Sequence, residues 1–222
     1  MVTRPRRPVL RRPTTGQLLI WLVLGLVFLV TAYPFFYVLS LSVMPYEEYV
    51  RRAVHAWPAG FTVTYYREIL SDARLVRAFE ISILKTVVGT ALNVVATAMC
   101  AYALSRRELR FGRFLSLLFL IPLFVSGGLI PYYLTIRATG PLNSFWALVL
   151  PGLVVSFYLF VVRTHFQNYP QEVIEAAILD GAGHFRVFWQ IVWPTSKPII
   201  ATIALLYGTG HWNDYYWPSI LV

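Results

Sequence analysis

The chain has 222 residues, of which 58% are hydrophobic and only 13% are charged. Soluble domains have about half apolar and about a quarter charged residues, so a soluble fold this poor in charge could not cover its surface. Intrinsic disorder is excluded because there is too much apolar side chain to bury. The single cysteine, Cys100, excludes an intramolecular disulfide framework and a cysteine-rich metal site. The composition therefore predicts a membrane protein with several spans.

The net charge of +9 is carried by short basic clusters that lie between long apolar runs. This pattern is typical of membrane topology and differs from the continuous basic face of a protein that binds nucleic acid. We therefore predict that the chain contacts membrane lipid and not nucleic acid.

Five apolar runs are long enough to cross about 30 Å of hydrocarbon, which takes about 20 helical residues. They cover residues 17–43, 80–104, 114–136, 145–164 and 198–217. A basic tail, residues 1–16, precedes the first run. That run is too long for a secretory signal and lacks a clear small-residue cleavage site, so we predict that it is retained. Residues 17–222 are predicted to form one transmembrane domain.

Basic residues predict the orientation of the spans. With the N-terminus inside, the inner segments 1–16, 105–113 and 163–197 hold twelve Lys and Arg, whereas the outer loops 44–79 and 135–145 hold six. The positive-inside rule favours this arrangement. We therefore predict a cytosolic N-terminus, an external loop over 44–79 and a cytosolic loop over 165–197. Lys85, within the second span, is predicted to extend its ammonium group to the outer interface.

The third apolar run carries three small residues, Ser126, Gly127 and Gly128, between Pro122 and Pro131. Small residues permit close packing of helices, which is one interpretation of this stretch. The flanking prolines also predict a broken span, and such a break can line a cavity.

The loop over 165–197 begins with a predicted helix. Pro170 suits the first helical turn because its missing N–H would be unpaired there. Glu172 near that start interacts favourably with the helix dipole. Apolar or small residues recur at helical spacing and predict one apolar face, formed by Ile174, Ala177, Ile178 and Gly181.

A tight turn and a second helix are predicted next. Gly181 and Gly183 can end the first helix by taking positive φ. Phe185, Phe188 and Val192 then restart a helical stripe, which Pro194 is expected to end. An ordinary amphipathic helix lying on the membrane is the alternative interpretation of this segment.

Glu175-Ala176-Ala177, followed at set spacing by Gly181, Ile191 and Pro194, resembles the EAA loop of ABC importer permeases. Trp193 stands where that family usually has leucine. Three further stretches are similar to the carbohydrate (maltose-type) branch, above all to permeases for complex oligosaccharides such as alginate or aldouronate: Gly127–Pro131, Asn143–Leu148 and Gly210–Asn213. The resemblance covers roughly residues 17–222.

This resemblance implies an all-α polytopic protein with the type I (MetI-like) permease fold in the bacterial plasma (inner) membrane. Such subunits have six spans, so five are expected to be present and a sixth missing, and the intact gene is expected to continue into another span and a basic tail. The resemblance also implies a binding-protein-dependent importer of a sugar or oligosaccharide. Its partners would be a second permease subunit, two cytosolic ABC ATPase subunits and an extracytoplasmic solute-binding protein.

In this family the EAA loop couples the permease to the ATPase. The resemblance assigns that role to Glu175, Ala176, Ala177, Asp180 and Gly181, with Ile191 and Pro194 completing the motif. A nucleotide-binding P-loop needs Gly before its Lys, but Leu84 precedes Lys85 and Ser196 precedes Lys197. We therefore expect no cofactor in this chain, and ATP and Mg on the partner ATPase subunits.

The end of the last run combines aromatic rings with hydrogen-bonding side chains, as sugar-binding surfaces do. The same rings are favoured in the aromatic belt at a membrane interface, and both interpretations stay open. With the small residues of the third run, the candidates for a substrate pathway are Ser126, Gly127, Trp212, Asn213, Asp214, Tyr215 and Tyr216.

Neither H-E-x-x-H nor G-x-S-x-G occurs, and the histidines are scattered, so neither a metal site nor an enzyme is predicted. An intramembrane enzyme, which would act without ATPase partners, is one alternative. A membrane scaffold or receptor, which would bind partners without substrate flux, is the other.

Overall fold

The computed structural model describes residues 14–51 and 60–222. Most of the predicted basic tail and part of the predicted external loop lie outside these residues. Throughout the described ranges every regular element is helical, so the predicted all-α class is confirmed. The chain divides into two compact units, of which the first ends at Val76 and the second is Arg77–Val222.

The first unit begins with one long apolar helix. Helix α1 (Thr15–Ser42) has 28 residues, which makes it about 42 Å long at 1.5 Å per residue. At its start, the backbone N–H of Thr14 donates to Oε1 of Gln17 at 2.9 Å. This bond satisfies a backbone donor that a helix start leaves free.

Two short helices follow α1 and are tied to one another and to its end. They are α2 (Tyr46–Arg51) and α3 (Thr64–Ser71). The Tyr65 hydroxyl accepts the backbone N–H of Tyr46 at 2.9 Å, and the Tyr66 hydroxyl donates to Ser42 Oγ at 2.7 Å. The two tyrosines of α3 therefore hold this segment in place.

Within residues 14–51 and 60–222, two helices could cross a membrane by length and composition: Thr15–Ser42 and Ala73–Ser105. The second consists of α4 (Ala73–Leu84), a π-helical turn (Lys85–Gly89) and α5 (Thr90–Ser105). A shorter apolar helix, α6 (Gly112–Phe124), follows.

The rest of the second unit is built from shorter helices. They are α7 (Leu129–Thr139), a 3₁₀ turn (Phe145–Leu148), α8 (Ser156–Gln167), α9 (Gln171–Leu179), α10 (His184–Val187), a second π-helical turn (Phe188–Val192), α11 (Trp193–Thr195), α12 (Lys197–Asn213) and α13 (Tyr216–Leu221).

The third predicted run is broken between α6 and α7, as its prolines and glycines predict. Pro122 lies inside α6, which ends at Phe124. Gly128 takes a φ of 78° directly before α7, a conformation that costs glycine little.

The fourth predicted run, 145–164, is α-helical only from Ser156 onward, because Pro151 and Gly152 interrupt it. Its non-helical backbone is bonded by side chains from neighbouring helices. Asn93 Nδ2 donates to the Gly152 carbonyl at 3.0 Å, and the Tyr207 hydroxyl accepts the N–H of Val155 at 2.9 Å. Irregular backbone that is buried requires such partners.

The core of the second unit lies where α5 packs against α8 and α12. Its fully buried side chains include Ala98, Ala101, Leu159, Val162, Phe166 and Ile203. The hydroxyls of Thr97 and Tyr207 are 2.7 Å apart and join α5 to α12 inside this core. The core therefore fixes the helices from which the candidate site projects.

We expect the G89A variant to lower the melting temperature of the protein in detergent. A Cβ atom at Gly89 would lie 2.8 Å from Nε2 of His211, so the added methyl group would overpack the contact, at a cost of about 1–3 kcal/mol.

The matched control is G210A on α12, where an added Cβ would meet nothing within 4 Å. Because alanine is the better helix former by about 1 kcal/mol, this variant should melt at the same or a higher temperature. Equal melting temperatures for G89A and G210A in differential scanning fluorimetry would contradict the packing described here.

Candidate functional site

The loop between α8 and α12 contains the two helices and the turn that its sequence predicts. Pro170 lies at the capping position directly before α9, and Glu172 lies in the first turn. Gly181 has a φ of 85°. Gly183 has a φ of −72°, so the prediction of positive φ at this second glycine is wrong. One left-handed residue is enough to reverse the chain here.

Pro194 does not end the second helix, in contrast to its prediction. Helix α10, the π-helical turn and α11 run without a break from His184 to Thr195, and Pro194 is near the start of α11. The ring of proline is tolerated there because the wider π turn directly precedes it. The chain leaves the helical conformation at Ser196 before α12 begins.

The inner face of this loop is part of the helical core. Ile174 from the first helix and Val187, Phe188 and Val192 from the second are at most 2% exposed. The apolar face predicted for the first helix is therefore divided: Ile174 is buried and Ala177 is half-buried, whereas Ile178 and Gly181 are exposed. The loop is anchored to the spans mainly through its second helix.

The outer surface of the loop carries most of the residues that the EAA resemblance selects. Glu175, Ala176, Asp180 and Gly181 are exposed, whereas Ala177 and Ile191 are half-buried. Two large apolar side chains of the same loop are also exposed, Leu179 by 87% and Phe185 by 67%. We call the surface formed by Glu175, Ala176, Leu179, Asp180, Gly181 and Phe185 the knob.

A cluster of tilted and edge-on aromatic rings connects the second helix of the loop to α5. The ring centroids of Trp189 and Trp193 are 5.0 Å apart, and those of Phe188 and Trp193 are 5.7 Å apart. Phe188 in turn lies 5.4 Å from the ring of Tyr102 on α5. Trp193, which departs from the EAA pattern, is thus a packing residue in this aromatic cluster.

Arg106, at the end of α5, is a positioning residue that the sequence interpretation missed. Its guanidinium lies 4.9 Å from the ring centroid of Tyr102, and Nη1 donates to Oε1 of Gln171 at 3.1 Å. Nη2 donates to the Phe166 carbonyl at 3.4 Å. One side chain therefore joins the ends of α5 and α8 to the start of α9. The available signal was that Arg106 opens a cluster of four arginines directly after a span, but such clusters at a membrane interface usually indicate topology alone.

The candidate pathway residues are only partly brought together. Ser126, Gly127 and Tyr216 line one cavity of about 600 Å³, and Asp214 lines a second of about 260 Å³. Tyr132 and Trp217, whose ring centroids are 4.3 Å apart, line both cavities. These two rings were not among the predicted candidates.

The remaining candidates lie outside both cavities. Trp212 is 54% exposed and packs edge-on against Phe79, with 6.1 Å between ring centroids. Tyr215 is 81% exposed. Asn213 Nδ2 donates to the Thr209 carbonyl at 2.9 Å, which occupies it within its own helix.

Lys85 does not extend to an interface, so its predicted placement is wrong. The side chain is 2% exposed, and its Nζ lies 2.5 Å from Oδ2 of Asp214, whose side chain is 23% exposed. The other carboxylate oxygen of Asp214 accepts the backbone N–H of Trp217 at 3.2 Å. The carboxylate of Asp214 therefore neutralises the buried ammonium group of Lys85. The two residues are 129 positions apart, so the sequence alone could not reveal this pair.

Two residues that line the smaller cavity have a buried polar side-chain atom without a partner in the described chain. These atoms are Oδ1 of Asn93 and Nε2 of His211. Buried polar atoms without hydrogen bonds are rare. Nε2 of His211 faces Gly89, where an added Cβ would lie 2.8 Å from it. Among the described residues, no three His, Cys, Asp or Glu side chains are grouped to hold a metal ion.

Residues 93–222 match the family described as binding-protein-dependent transport system inner membrane component. Protein LplC of Bacillus subtilis is 38% identical over 88% of this chain and 66% of that relative. The polygalacturonan/rhamnogalacturonan transport system permease protein YtcP of Bacillus subtilis is 36% identical over 84% of this chain and 65% of that relative. The chain thus spans slightly less than two thirds of the length of these relatives.

A crystal structure of a bacterial ABC transporter involved in the import of the acidic polysaccharide alginate has a similar fold. The TM-score is 0.87 at 25% sequence identity, and the alignment covers 96% of this chain and 77% of that chain. The MetI-like ABC permease fold implied by the sequence resemblance is therefore confirmed.

We expect the single variants K85M and D214N each to destabilise the protein by about 3 kcal/mol, because each leaves a buried or half-buried charge without its partner. The double variant K85M/D214N should lose less stability than the sum of the losses in the two single variants. A double-mutant cycle of melting curves measures this difference.

The exposed pair Asp72–Arg74 provides the control. Its N–O distance is 3.2 Å and the Arg74 side chain is 92% exposed. The neighbouring guanidinium lowers the pKa of the Asp72 carboxyl, but water screens the pair, so D72N should leave the melting temperature unchanged. If the single variants at Lys85 and Asp214 behaved like D72N, the buried ion pair would be refuted.

Proposed function

We propose that this chain, which belongs to the binding-protein-dependent transport system inner membrane component family, is the membrane-spanning permease subunit of an ABC importer for a sugar or oligosaccharide. The observation that carries the proposal is the knob, which is exposed while the inner face of its loop is buried in the helical core. An intramembrane enzyme or a scaffold is less consistent with a family of transport components.

The knob has the chemistry of a docking surface for an ATPase subunit. Ala176 and Gly181 allow the backbone of a partner to approach closely, and the apolar side chains of Leu179 and Phe185 would lose contact with water there. The carboxylates of Glu175 and Asp180 have no ion pair within the described residues, so both are free to pair with basic groups of a partner. We infer that this surface faces the cytosol, together with the N-terminus.

The buried contacts of the loop would transmit movement from the ATPase to the spans. A displacement of the knob would displace Phe188 and Val192, and these side chains pack among α5, α8 and α12. Arg106 and the aromatic cluster restrain the loop further. Close-packed interiors transmit such displacements because they cannot deform continuously.

The remaining parts of the importer would be supplied by other chains. We infer a second permease subunit, two ATPase subunits that bind ATP and Mg, and an extracytoplasmic solute-binding protein. ATP-driven closure of the ATPase pair would move the two knobs together and rock the attached spans, which gives alternating access to a central pathway.

A sugar is supported as the substrate by the two neighbouring cavities, both of which are lined by Tyr132 and Trp217. Tyr216 adds a third aromatic ring to the larger cavity. Asn93, His211 and Asp214 are polar residues in the lining of the smaller cavity. The similarity to YtcP and to the alginate transporter agrees with an oligosaccharide.

The variant E175Q should reduce sugar uptake by the assembled importer at least tenfold, because it removes a charge that the knob offers to the ATPase. ATP hydrolysis by the complex should lose its stimulation by substrate-loaded binding protein. Radiolabelled uptake and phosphate release in proteoliposomes measure the two effects.

Its matched control is E172Q, because Glu172 is an exposed acid on the same helix but outside the EAA motif. E172Q should retain most of the uptake. Uptake by E175Q equal to that of E172Q would refute the coupling role of Glu175.

The variant S126W should block uptake by filling the larger cavity, whereas Y215A should leave uptake unchanged because Tyr215 lies outside both cavities. Both variants keep the knob intact, so both should still bind the ATPase subunits. Normal uptake by S126W, in the same proteoliposome assay, would exclude this cavity from the substrate pathway.

A further inference from the structure

A basic cavity lies at the ends of α5, α6 and α8, away from the candidate pathway. Its volume is about 410 Å³. Four arginines line it, and no acidic residue is among the residues that form its wall: Arg106, Arg107, Arg113 and Arg163. Arg106 comes from the end of α5 and Arg163 from α8, so the fold gathers charges that are far apart in the sequence.

These four positive charges are not neutralised within the described chain. Arg106 bonds only to neutral groups, namely Ser105, Gln171 and the Phe166 carbonyl. Arg163 Nε donates to the Leu104 carbonyl at 3.0 Å. Arg107 and Arg113 are exposed and make no ion pair in the part of the chain that the structure describes. Glu108 lines a different cavity, beside Arg106 and Arg110.

The start of α6 adds to the positive potential of this cavity. Gly112, the first residue of α6, lines the wall. The backbone N–H groups in the first turn of a helix carry a partial positive charge and favour a bound anion. Arginines and a helix start together favour a phosphate group, which guanidinium groups bind through two parallel hydrogen bonds.

An apolar surface adjoins the charges. Phe111, which also lines the cavity, is 78% exposed and has a φ of 63°, a conformation that strains a bulky residue. Along α6, Phe114, Leu117 and Ile121 are 60%, 54% and 54% exposed. A phosphate site bordered by exposed aromatic and aliphatic side chains matches the boundary between the headgroup and the acyl chains of a phospholipid.

We propose that this cavity binds the headgroup of an anionic phospholipid, with the acyl chains lying along α6. The inference rests on the proposed function only for the orientation of the chain. That orientation places the cavity in the cytosolic leaflet. Basic pockets between spans on this side of a membrane bind anionic headgroups. The phosphate of the bound lipid places a negative charge among the four arginines, beside the loop that carries the knob.

Native mass spectrometry of the full chain in detergent tests this proposal with lipids that have the same acyl chains. Phosphatidylglycerol should bind at least tenfold more tightly than phosphatidylcholine. The variant R107Q/R113Q should weaken phosphatidylglycerol binding about 30-fold, since each basic residue near a membrane surface contributes about fivefold to such binding. Phosphatidylcholine binding should not change.

The matched control is R67Q/R77Q, which removes the same charge from two arginines outside the cavity. It should leave the preference for phosphatidylglycerol unchanged. Because Arg107 and Arg113 are exposed and bond to none of the described residues, R107Q/R113Q should keep its melting temperature. If the double variant melts at a lower temperature, the single variants R107Q and R113Q give the same test. Each should weaken phosphatidylglycerol binding about fivefold.

Three results would overturn the proposal. The first is equal binding of the two lipids by the unmodified chain. The second is an equal loss of phosphatidylglycerol binding in R107Q/R113Q and R67Q/R77Q. The third is competition by soluble glycerol phosphate at the concentration of the lipid, which would identify a site for free phosphate esters. None of these measurements involves transport, so these results would not contradict the proposed permease function.

Discussion

The packing of Phe188 and Val192 into the core between α5, α8 and α12 is the interaction on which the account of this protein depends. Both side chains are at most 2% exposed, although they belong to a loop whose other face is exposed. Without this anchor, the knob would be a flexible appendage, and a force applied to it would not reach the spans. With the anchor, the loop and the three helices move as one packed body.

A second constraint explains the polar groups inside the helical unit. Where Pro151 and Gly152 interrupt the helical backbone, Asn93 and Tyr207 supply the missing hydrogen-bond partners. Where Lys85 is buried, Asp214 neutralises it. Each of these interactions joins segments that are distant in sequence, so a lipid environment that penalises unpaired polar groups also selects this tertiary arrangement.

The sequence predicted the helical class, the break in the third run and the two helices of the EAA loop, because these features follow from local periodicity and from proline and glycine. Gly181 takes positive φ as predicted. Predictions were wrong where a neighbouring element or a tertiary contact outweighed a local sequence rule. Pro194 continues a helix because a π turn precedes it, and Lys85 is buried because Asp214 faces it.

The residues of the candidate site were likewise predictable only where local sequence determines the structure. Of the EAA motif, Glu175, Ala176, Asp180 and Gly181 are exposed on one helix and the turn after it, as helical spacing predicts, whereas Ala177, Ile191 and Pro194 lie outside the knob. The pathway candidates were chosen by composition alone, and only Ser126, Gly127 and Tyr216 share a cavity. The roles of Tyr132 and Trp217, which line both cavities, and of Arg106, which restrains the loop, depend on tertiary contacts that no spacing in the sequence encodes.

The central claim, that the knob contacts an ATPase subunit, can be measured directly by photo-cross-linking. A photoreactive amino acid would replace Leu179, which is 87% exposed on the knob, or Tyr215, which is 81% exposed outside it. In the assembled importer, the account predicts a cross-link to the ATPase subunit from position 179 and none from position 215. If position 179 formed no such cross-link in an importer that still transports its sugar, the claim would be contradicted.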